Sequence, residues 1–296
     1  PSYKIRYRGY GPFVEGLLLG PGIVKTAWHE NRRLHEILQR EKVDALISDS
    51  RFGLFHRHCH SVFLTHQWNI QLKNTVLKKA VNFGHRLIID RFDHCWIPDF
   101  PSFPGLAGKL SHPAPSGRCA YIGPLSRFQK LDVPKIWDLV AVLSGPEPQR
   151  SRLEALVVAQ ARAIGVKFRS LIVRGITESS KKQKLNNGVE MIDSLSGREL
   201  NEHMCSAEVI LCRSGYSSIM DLHAIGKPAI LIPTPGQTEQ EYLAAHLMGS
   251  GMFYAQQQKN FDLRRGLEEV GKYPGFTSKR TPSSLEIFLE DWLKSL

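Results

Sequence analysis

The feature that most constrains the fold is the alternation of short apolar runs with amphipathic segments in the second half of the chain. Four runs read as buried strands that end in Gly or polar residues: "DLVAVLSG" (138–145), "KFRSLIVRG", "EVILCRSG" and "KPAILIPTP". Three of them are followed by helical patterns, which are "PEPQRSRLEALVVAQARAIG", "YSSIMDLHAIG" and "TEQEYLAAHLMGSG". Strands that alternate with helices predict an α/β fold, in which helices cover both faces of a parallel sheet.

The first half of the chain predicts a second, sparser sheet. Its strand candidates are "VDALISDS" (43–50), "SVFLTHQ" (61–67), "HCWIPDF" (94–100) and "RCAYIG" (118–123), with helices at 26–42 and 71–87. A polar, Pro-containing stretch near residue 130 separates the two halves. We therefore predict two Rossmann-like domains with parallel sheets, residues 1–130 and 131–296. No strand and Gly-rich turn open the first half, so we expect that domain to lack its first βα unit ahead of Pro1.

Charge and cysteine content limit the classes of partner. Residues 1–130 hold 19 Lys and Arg against 9 Asp and Glu, whereas residues 131–296 hold 20 against 19. A basic half predicts an anionic partner, which could be nucleic acid, an acidic membrane surface or a phosphorylated substrate; a merely basic, soluble surface is the alternative. No apolar run is long enough to span a membrane. Five cysteines without a CxxC motif favour reduced thiols in the cytoplasm.

The turn Arg213-Ser214-Gly215 lies between a strand and a helix, where open α/β sheets bind ligands. Gly215 could adopt a positive φ and let a ligand approach the backbone. The hydroxyls of Ser214, Ser217 and Ser218 lie at a helix start, where N–H groups favour an anion. Asp221 lies on the same helix face as Ser217 and Ser218, and its carboxylate could accept hydrogen bonds from the two vicinal hydroxyls of a ribose. The turn thus predicts a site for a phosphate and a ribose; the alternative is that Ser214 is a simple N-cap.

Two further turns are predicted at the same edge. "LSGPEPQR" (143–150) supplies Ser144, Gly145 and Arg150, and "PTPGQTEQEYLAA" (233–245) supplies Gln237, Thr238, Gln240 and Glu241. The carboxyl ends of parallel strands meet at one edge of a sheet, so the three turns should converge. That convergence predicts a nucleotide-diphosphate site.

Residues 138–255 resemble the donor-binding domain of GT-B glycosyltransferases. "CRSGYSSIMDLHAIGKPAILIP" is similar to the "CRSGA…E…G.P…P" signature of glycosyltransferase family 28, whose MurG-like members are the UDP-GlcNAc transferases of peptidoglycan synthesis. "TEQEYLAA" resembles that family's "RQQYWNA". The resemblance implies that a UDP-sugar is the donor and that the uracil lies near residues 191–195.

Individual roles also follow from the resemblance. Asp221 stands where the family keeps a Glu on the ribose, and Gln240 and Glu241 stand at its paired Gln, which reads the sugar hydroxyls. Glu241 departs from that pair. The diphosphate would be bound by the turn residues Ser144, Gly145, Ser214, Gly215 and Ser217, with Arg150, Arg213, Ser218 and Thr238 beside them.

In the first half, "FLTHQWN" (63–69) resembles the family's "HEQN" segment, which makes His66 and Gln67 candidates for the cleft between the domains. His66 and Asp99 are the candidate catalytic bases, because both end strands that should face that cleft. The family's N-terminal Gly-rich loop has no counterpart. Segments of residues 44–127 also resemble uncharacterised bacterial predicted glycosyltransferases.

The expected reaction is transfer of a sugar from a nucleotide-sugar to an acceptor hydroxyl, with inversion and with neither a metal nor a cofactor. The sequence does not identify the acceptor, which could be linked to a lipid. Basic segments at 28–44 and 72–81 are compatible with a peripheral contact with an acidic membrane, which suits a cytoplasmic enzyme at the inner face of the cell membrane. A solvated helix face is the favoured alternative for residues 28–44.

A nucleotide-sugar hydrolase or epimerase on the same fold is the enzyme alternative. Nucleic acid is not the expected partner, because aromatic residues do not interleave with the basic ones. His56, His58 and His60 alternate in one short segment, whereas zinc sites draw ligands from several segments, and no DxD motif is present. We therefore predict no metal site.

Overall fold

The computed structural model describes residues 12–72, 74–114, 117–176, 181–185, 187–276 and 284–294. They form two compact units, one that ends at Pro124 and also includes the last helix, and one that spans Leu125–Arg280. The sequence placed the boundary near residue 130. In the structure the second unit begins earlier, because the backbone N–H of Leu125 donates to Met220 Sδ at 3.2 Å and Ser126 bonds to Asp221.

The first unit is built on a four-stranded parallel sheet. Its strands are β1 (Ala45–Asp49), β2 (His60–Leu64), β3 (His94–Ile97) and β4 (Cys119–Tyr121), and they lie in the sheet in the order of the chain. Helices α1 (Pro12–Leu38) and α2 (Thr75–Ile89) flank these strands in the sequence. The core is aromatic: Phe63, Trp68 and Phe92 are buried there with Ile89 and Ile97. The four strands predicted from the first half are confirmed.

The last helix, α8 (Ser284–Lys294), groups with the first unit. The sequence assigned this segment to the second domain. Trp96 of β3 accounts for the difference, because it makes edge contacts with Phe288 and Trp292, with ring centroids 5.1 and 5.0 Å away. Such aromatic contacts add specific stabilisation to the burial of apolar area.

Among its described residues, the second unit contains seven strands and five α-helices. The strands are β5 (Trp137–Val142), β6 (Ser170–Val173), β7 (Lys182–Lys184), β8 (Val189–Ile192), β9 (Ala207–Cys212), β10 (Ala229–Leu231) and β11 (Tyr254–Ala255). The helices are α3 (Gln149–Ile164), α4 (Gly197–Cys205), α5 (Tyr216–Ile225), α6 (Thr238–Gly249) and α7 (Leu263–Val270). The buried strands β5, β6 and β9 are rich in Val, Ile and Leu, as strands covered on both faces require.

The strand order in this sheet is β11-β10-β9-β5-β6-β8-β7. From β5 the chain moves outward through β6 to β8, and it then returns to the other side of β5 with β9. The order therefore reverses between β5 and β9, and a crevice opens at the carboxyl ends of such a pair. All neighbours are parallel except β7, whose exposed, polar residues pair antiparallel with β8 at the sheet edge.

Candidate functional site

The three turns predicted to converge do lie on one edge of the second sheet. Ser144 and Gly145 follow β5, Arg213 to Gly215 follow β9, and Thr234 follows β10. The first two turns flank the point where the strand order reverses. This edge is the place where the fold itself provides a crevice.

Arg213 links these turns from beneath. Its side chain is buried, and its guanidinium donates to four main-chain carbonyls, those of Ser144, Gln149, Ile232 and Pro233, at 2.8 to 3.4 Å. Burial lowers the pKa of Arg213 to about 10, so the group remains a cation at neutral pH. Arg213 thus holds the ends of β5 and β10 together and puts a positive charge under the turns.

Helix α5 begins at the reversal point without a side-chain cap. Its N-cap residue is Gly215, whose φ is −72°, so the positive φ expected for Gly215 is wrong. The Ser214 hydroxyl is not the cap either, because it is buried and donates to the carbonyl of Gln240 at 2.8 Å. Ser217 is exposed and Ser218 half-buried on the first turn. The side-chain cap that many helices have at their first turn is therefore missing at the N-cap of α5.

The other helix starts are filled differently. Asn74 caps α2, Glu147 accepts from Ser151 in α3, Ser196 and Glu199 form a capping box at α4, Glu239 and Glu241 lie in the first turn of α6, Asp262 caps α7, and Glu286 lies in the first turn of α8. Helix α5 has neither a side-chain cap nor an acid in its first turn. The first turn of α3 shares both properties, but Glu147 just before that helix accepts from the Ser151 N–H. The positive end of α5 can therefore receive an external anion.

A buried hydroxyl lies under the Gly145 turn. Thr234 is fully buried, and its Oγ1 has no hydrogen-bond partner in the described part of the chain. Gly145 has a φ of +102°, which favours glycine, and a Cβ built on it would lie 3.5 Å from Thr234 Oγ1. Gln240 holds the Thr234 turn through its Oε1, which accepts from the Thr234 N–H at 2.9 Å. Buried polar groups normally have partners, so the Thr234 hydroxyl is a polar atom at this turn that a water or a ligand could contact.

Asp221 lies one turn into α5 and is half-buried. Burial raises the pKa of its carboxyl, while a hydrogen bond from Ser126 and the charge of Arg127 act in the opposite direction. Ser126 Oγ donates to Asp221 Oδ1 at 2.6 Å. A protein hydroxyl therefore already sits on the carboxylate that we expect to bind ribose hydroxyls.

The remaining predicted donor residues serve different contacts. Arg150 is held by Glu147 at 2.7 Å and by Glu154 at 2.6 Å, so its charge is largely engaged within α3. Glu241 Oε1 accepts from the N–H of Gly236 at 2.9 Å. Thr238 is half-buried at the start of α6. Ser144 is exposed beside Gly145.

A cavity of about 320 Å³ opens at the same edge, beyond the ends of β6 and β8. It is lined by Arg174, Lys181, Lys182, Gln183, Met191 and Asp193. Arg174 is fixed there by an ion pair with Asp193 at 2.7 Å and another with Glu154 at 3.0 Å. The cavity includes residues from the 191–195 segment, where the sequence placed the nucleobase.

In the first unit, His66 and Asp99 follow the neighbouring strands β2 and β3 at the carboxyl edge. His66 is half-buried beside Gln67, with its Nε2 3.5 Å from Gln67 Nε2. Asp99 is fully buried, and its carboxylate accepts from the N–H groups of Phe100, Leu106 and Ala107 and from the Ser111 hydroxyl, at 2.6 to 3.0 Å. This geometry favours a structural role for Asp99, while the role of either residue as a base stays a prediction.

Three histidines of the first unit lie next to one another. The rings of His35, His56 and His58 follow one another at 5.6 and 5.5 Å between centroids. Over the described residues, no group of three or more His, Cys, Asp or Glu side chains is placed to hold a metal ion. Nor is any described helix long and apolar enough to cross a membrane.

Sequence reasoning missed Ser126 and Thr234. Ser126 lies 95 positions from Asp221, so no local pattern could connect the two. Thr234 stood inside the recognised "PTPGQ" turn, but its isolation becomes visible only when its neighbours in space are known.

The second unit is similar in sequence to a known protein family. Residues 149–282 match the model of the glycosyltransferase family 28 C-terminal domain. The resemblance predicted from the sequence is confirmed. The match covers α3 to α7, including every turn of the second unit's edge except Ser144 and Gly145.

Two curated relatives carry the same printed name, UDP-N-acetylglucosamine--N-acetylmuramyl-(pentapeptide) pyrophosphoryl-undecaprenol N-acetylglucosamine transferase. The protein from Caldanaerobacter subterraneus subsp. tengcongensis is 29% identical over 114 residues, which is 35% of this chain and 31% of that protein. The protein from Methylobacterium sp. is 32% identical over 125 residues, 41% of this chain and 30% of its own length. The matched part thus spans about a third of these relatives.

Solved structures share the fold over most of the chain. The glycotransferase of kitacinnamycin has a TM-score of 0.57 at 14% identity and covers 92% of this chain and 77% of its own. MurG of Acinetobacter baumannii has a TM-score of 0.50 at 12% identity, over 93% and 78%. A UDP-N-acetylglucosamine 2-epimerase has 0.52 at 10%, over 92% and 78%. The predicted GT-B class is confirmed as the fold.

Proposed function

We propose that this protein transfers a sugar from a nucleotide-diphosphate sugar, expected to be a UDP-sugar, to an acceptor hydroxyl. The observation that carries the proposal is the start of α5, which lies at the reversal of strand order and has neither a cap nor an acid. The family 28 match over residues 149–282 supports the same conclusion.

The diphosphate would bind the backbone N–H groups of the first α5 turn. The buried cation of Arg213 lies beneath that turn, and the Thr234 hydroxyl offers a further polar atom under Gly145. Negative charge grows on the leaving diphosphate as the bond to the sugar breaks. Fixed donors and a fixed cation stabilise that charge without rearrangement during the reaction.

The rest of the donor would be held by residues around this anion site. Asp221 would accept from the ribose hydroxyls, with Oδ1 shared with Ser126 or released from it. Gln240 and Glu241 would face the sugar. The cavity beyond β6 and β8 would take the nucleobase, with Met191 as an apolar contact.

The acceptor hydroxyl would attack the anomeric carbon directly, with inversion, and a base would take its proton. His66 is the better candidate for that base, because the Asp99 carboxylate is already bound by four donors. We propose that the reaction needs no resident metal, since the Arg213 cation and the α5 amides can neutralise the leaving group. The relatives' printed name includes an undecaprenol-linked acceptor, which supports a lipid-linked acceptor here.

One alternative has an observation of its own. The fold is shared with a UDP-N-acetylglucosamine 2-epimerase, and the same donor site could serve an epimerase or a hydrolase. Incubation of the protein with UDP-GlcNAc, followed by product analysis, separates these reactions. An epimer or a free sugar favours the alternative, whereas a sugar transferred to a polyprenol-linked acceptor favours the transferase.

Calorimetric titration with UDP, dTDP, GDP and ADP tests the donor site. We expect UDP to bind most tightly and Asp221→Asn to weaken it at least about tenfold, or 1.4 kcal/mol. The same substitution should raise the free energy of unfolding, because burial disfavours the charged carboxyl. Asp262→Asn, at the start of α7, is the matched control and should leave UDP affinity unchanged. If no nucleotide binds the folded protein, the proposal fails.

The membrane contact is proposed for the outer face of α2. Val76, Phe83 and Leu87 are 78%, 66% and 53% exposed, and Lys79 and Arg86 are exposed among them. An apolar stripe beside basic residues is typical of a helix that lies in an acidic membrane surface. A cytoplasmic enzyme at the inner face of the cell membrane would meet such a surface.

Sedimentation with vesicles tests this contact. We expect binding to phosphatidylglycerol-containing vesicles and little binding to pure phosphatidylcholine. Phe83→Ser with Leu87→Ser should abolish it, whereas Val166→Ser, which removes a 69% exposed apolar side chain of the second unit, should not. Equal binding by both variants would exclude α2 as the contact.

A further inference from the structure

The first unit contains two cysteines that face each other across neighbouring strands. Cys95 of β3 and Cys119 of β4 are directly paired in the parallel register. Paired positions on adjacent strands lie about 4.8 Å apart, and side chains at such positions point to the same face of the sheet. Disulfides form when the Cα atoms are about 4.4 to 6.8 Å apart, so the backbone need not move far to join these two residues.

The surroundings of the pair give an oxidant access to one of them. Cys95 is buried and Cys119 is partly exposed. Both line a cavity of about 160 Å³, together with Trp68, Ile89, Asp90, Phe92, His94 and Arg118. Interaction between the two thiols raises the pKa of Cys95, as burial also does, and lowers that of Cys119. The partly exposed Cys119 is thus placed to meet an oxidant, and the buried Cys95 is placed beside it to resolve the oxidised sulfur.

The other three cysteines lack this arrangement. Cys59 donates to the carbonyl of His60, and Cys205 donates to the carbonyl of Gln129. Cys212 is fully enclosed, and burial raises the pKa of its thiol to about 12. None of these three is paired in strand register with a second cysteine.

We propose that Cys95 and Cys119 form a reversible disulfide when the protein meets a peroxide. The Cys119 thiolate attacks one oxygen of hydrogen peroxide, the O–O bond breaks, and a sulfenic acid and hydroxide result. The Cys95 sulfur then attacks the sulfenic sulfur, its proton goes to the departing hydroxyl, and water leaves. Both sulfurs are oxidised by one equivalent of peroxide, and a dithiol reductant reverses the reaction.

The test is mass spectrometry of the full-length protein after treatment with hydrogen peroxide. The protein is denatured and alkylated without reduction and then digested with trypsin, which releases Cys95 in peptide 92–109 and Cys119 in peptide 119–127. We expect these two peptides to appear linked, and to separate again after dithiothreitol. Two alkylated peptides after peroxide, or Cys119 as sulfinic acid without a link, would overturn the proposal.

Variants sharpen the result. Cys95→Ala removes the resolving thiol and should convert Cys119 to higher oxidation states that dithiothreitol does not reverse. Cys59→Ala is the matched control, since it removes another buried thiol of the same unit and should leave the linked peptides at the wild-type amount. Loss of the link in the control would show that the pairing is not specific. The wild-type measurement stands even where a variant fails to fold.

Discussion

The two units use the same kind of sheet edge in different ways. In each, buried parallel strands end in polar residues at the carboxyl edge. In the first unit the strands follow chain order, and the Asp99 carboxylate accepts hydrogen bonds from N–H groups of the loop that follows it. In the second unit the order reverses between β5 and β9, and the start of α5 there has neither a cap nor an acid.

The difference shows that polar residues at a strand end do not by themselves make a binding site. Asp99 is more deeply buried and better bonded than Asp221, yet its contacts all close its own loop. Around α5, by contrast, Arg213 holds a cation under the turns while its N–H groups bond to four carbonyls, and Thr234 Oγ1 has no partner among the described residues. A fixed charge and a polar atom that the fold does not satisfy are a stronger indicator of a ligand than the residue types alone.

The largest expected effect comes from Arg213→Leu. The substitution leaves up to four buried carbonyls without a donor, and each can cost about 1 to 3 kcal/mol. We expect the free energy of unfolding to fall by about 4 kcal/mol in urea titrations. Arg198→Leu removes a side chain that is 91% exposed and should cost less than about 1 kcal/mol. Similar losses in both variants would mean that Arg213 does not hold the turns together.

Asp99→Asn tests the first unit's closed loop. The NH₂ group of the introduced Asn side chain would face the backbone N–H groups that now donate to the carboxylate, so donors would oppose donors. We therefore expect the free energy of unfolding to fall by about 3 kcal/mol. Asp93→Asn is the control, because Asp93 is exposed and accepts from the Ser61 N–H, and it should cost about 1 kcal/mol. Wild-type stability with loss of sugar transfer would instead identify Asp99 as the base.

Acid should affect the first unit through His85. Burial lowers the pKa of this histidine to about 4, so the folded state resists a proton that the unfolded chain takes up near 6.5. The contribution of neutral His85 to the free energy of unfolding is therefore fully present above pH 6.5. It is lost as the pH falls toward 4, by up to about 3 kcal/mol. His85→Phe should remove that part of the pH dependence, as measured by urea unfolding between pH 7 and 4. An unchanged slope would contradict the assignment.

Much of the fold could be predicted because apolar periodicity is local. The segments 43–50, 61–67, 94–100 and 118–123 each overlap an observed strand, and both halves form sheets that are parallel apart from β7. β7 could not be predicted, since Lys182–Lys184 has no buried face and exists by pairing with β8. The position of α8 depends on contacts with Trp96, far away in the sequence.

The candidate site was predictable as a set of turns but not in its details. The sequence "RSGYSS" is typical of a helix that is capped by a serine. In the structure the Ser214 hydroxyl instead donates to the Gln240 carbonyl, and Gly215 is the N-cap residue. An arginine in a turn reads as a surface residue. Arg213 is buried because two segments, the turn after β5 and the end of β10, bring carbonyl oxygens to one point, which only the folded chain defines.

The central claim is that the uncapped start of α5 binds the donor's diphosphate, and Ser217→Asp tests it most directly. An acid on the first turn supplies the missing negative charge, so it should stabilise the protein by about 0.3 to 1 kcal/mol. The same charge should repel a diphosphate and weaken UDP binding at least about tenfold, with Ser217→Asn as the neutral control. Greater stability together with lost UDP affinity is the predicted result. Unchanged UDP affinity in a stabilised Ser217→Asp protein would contradict the account.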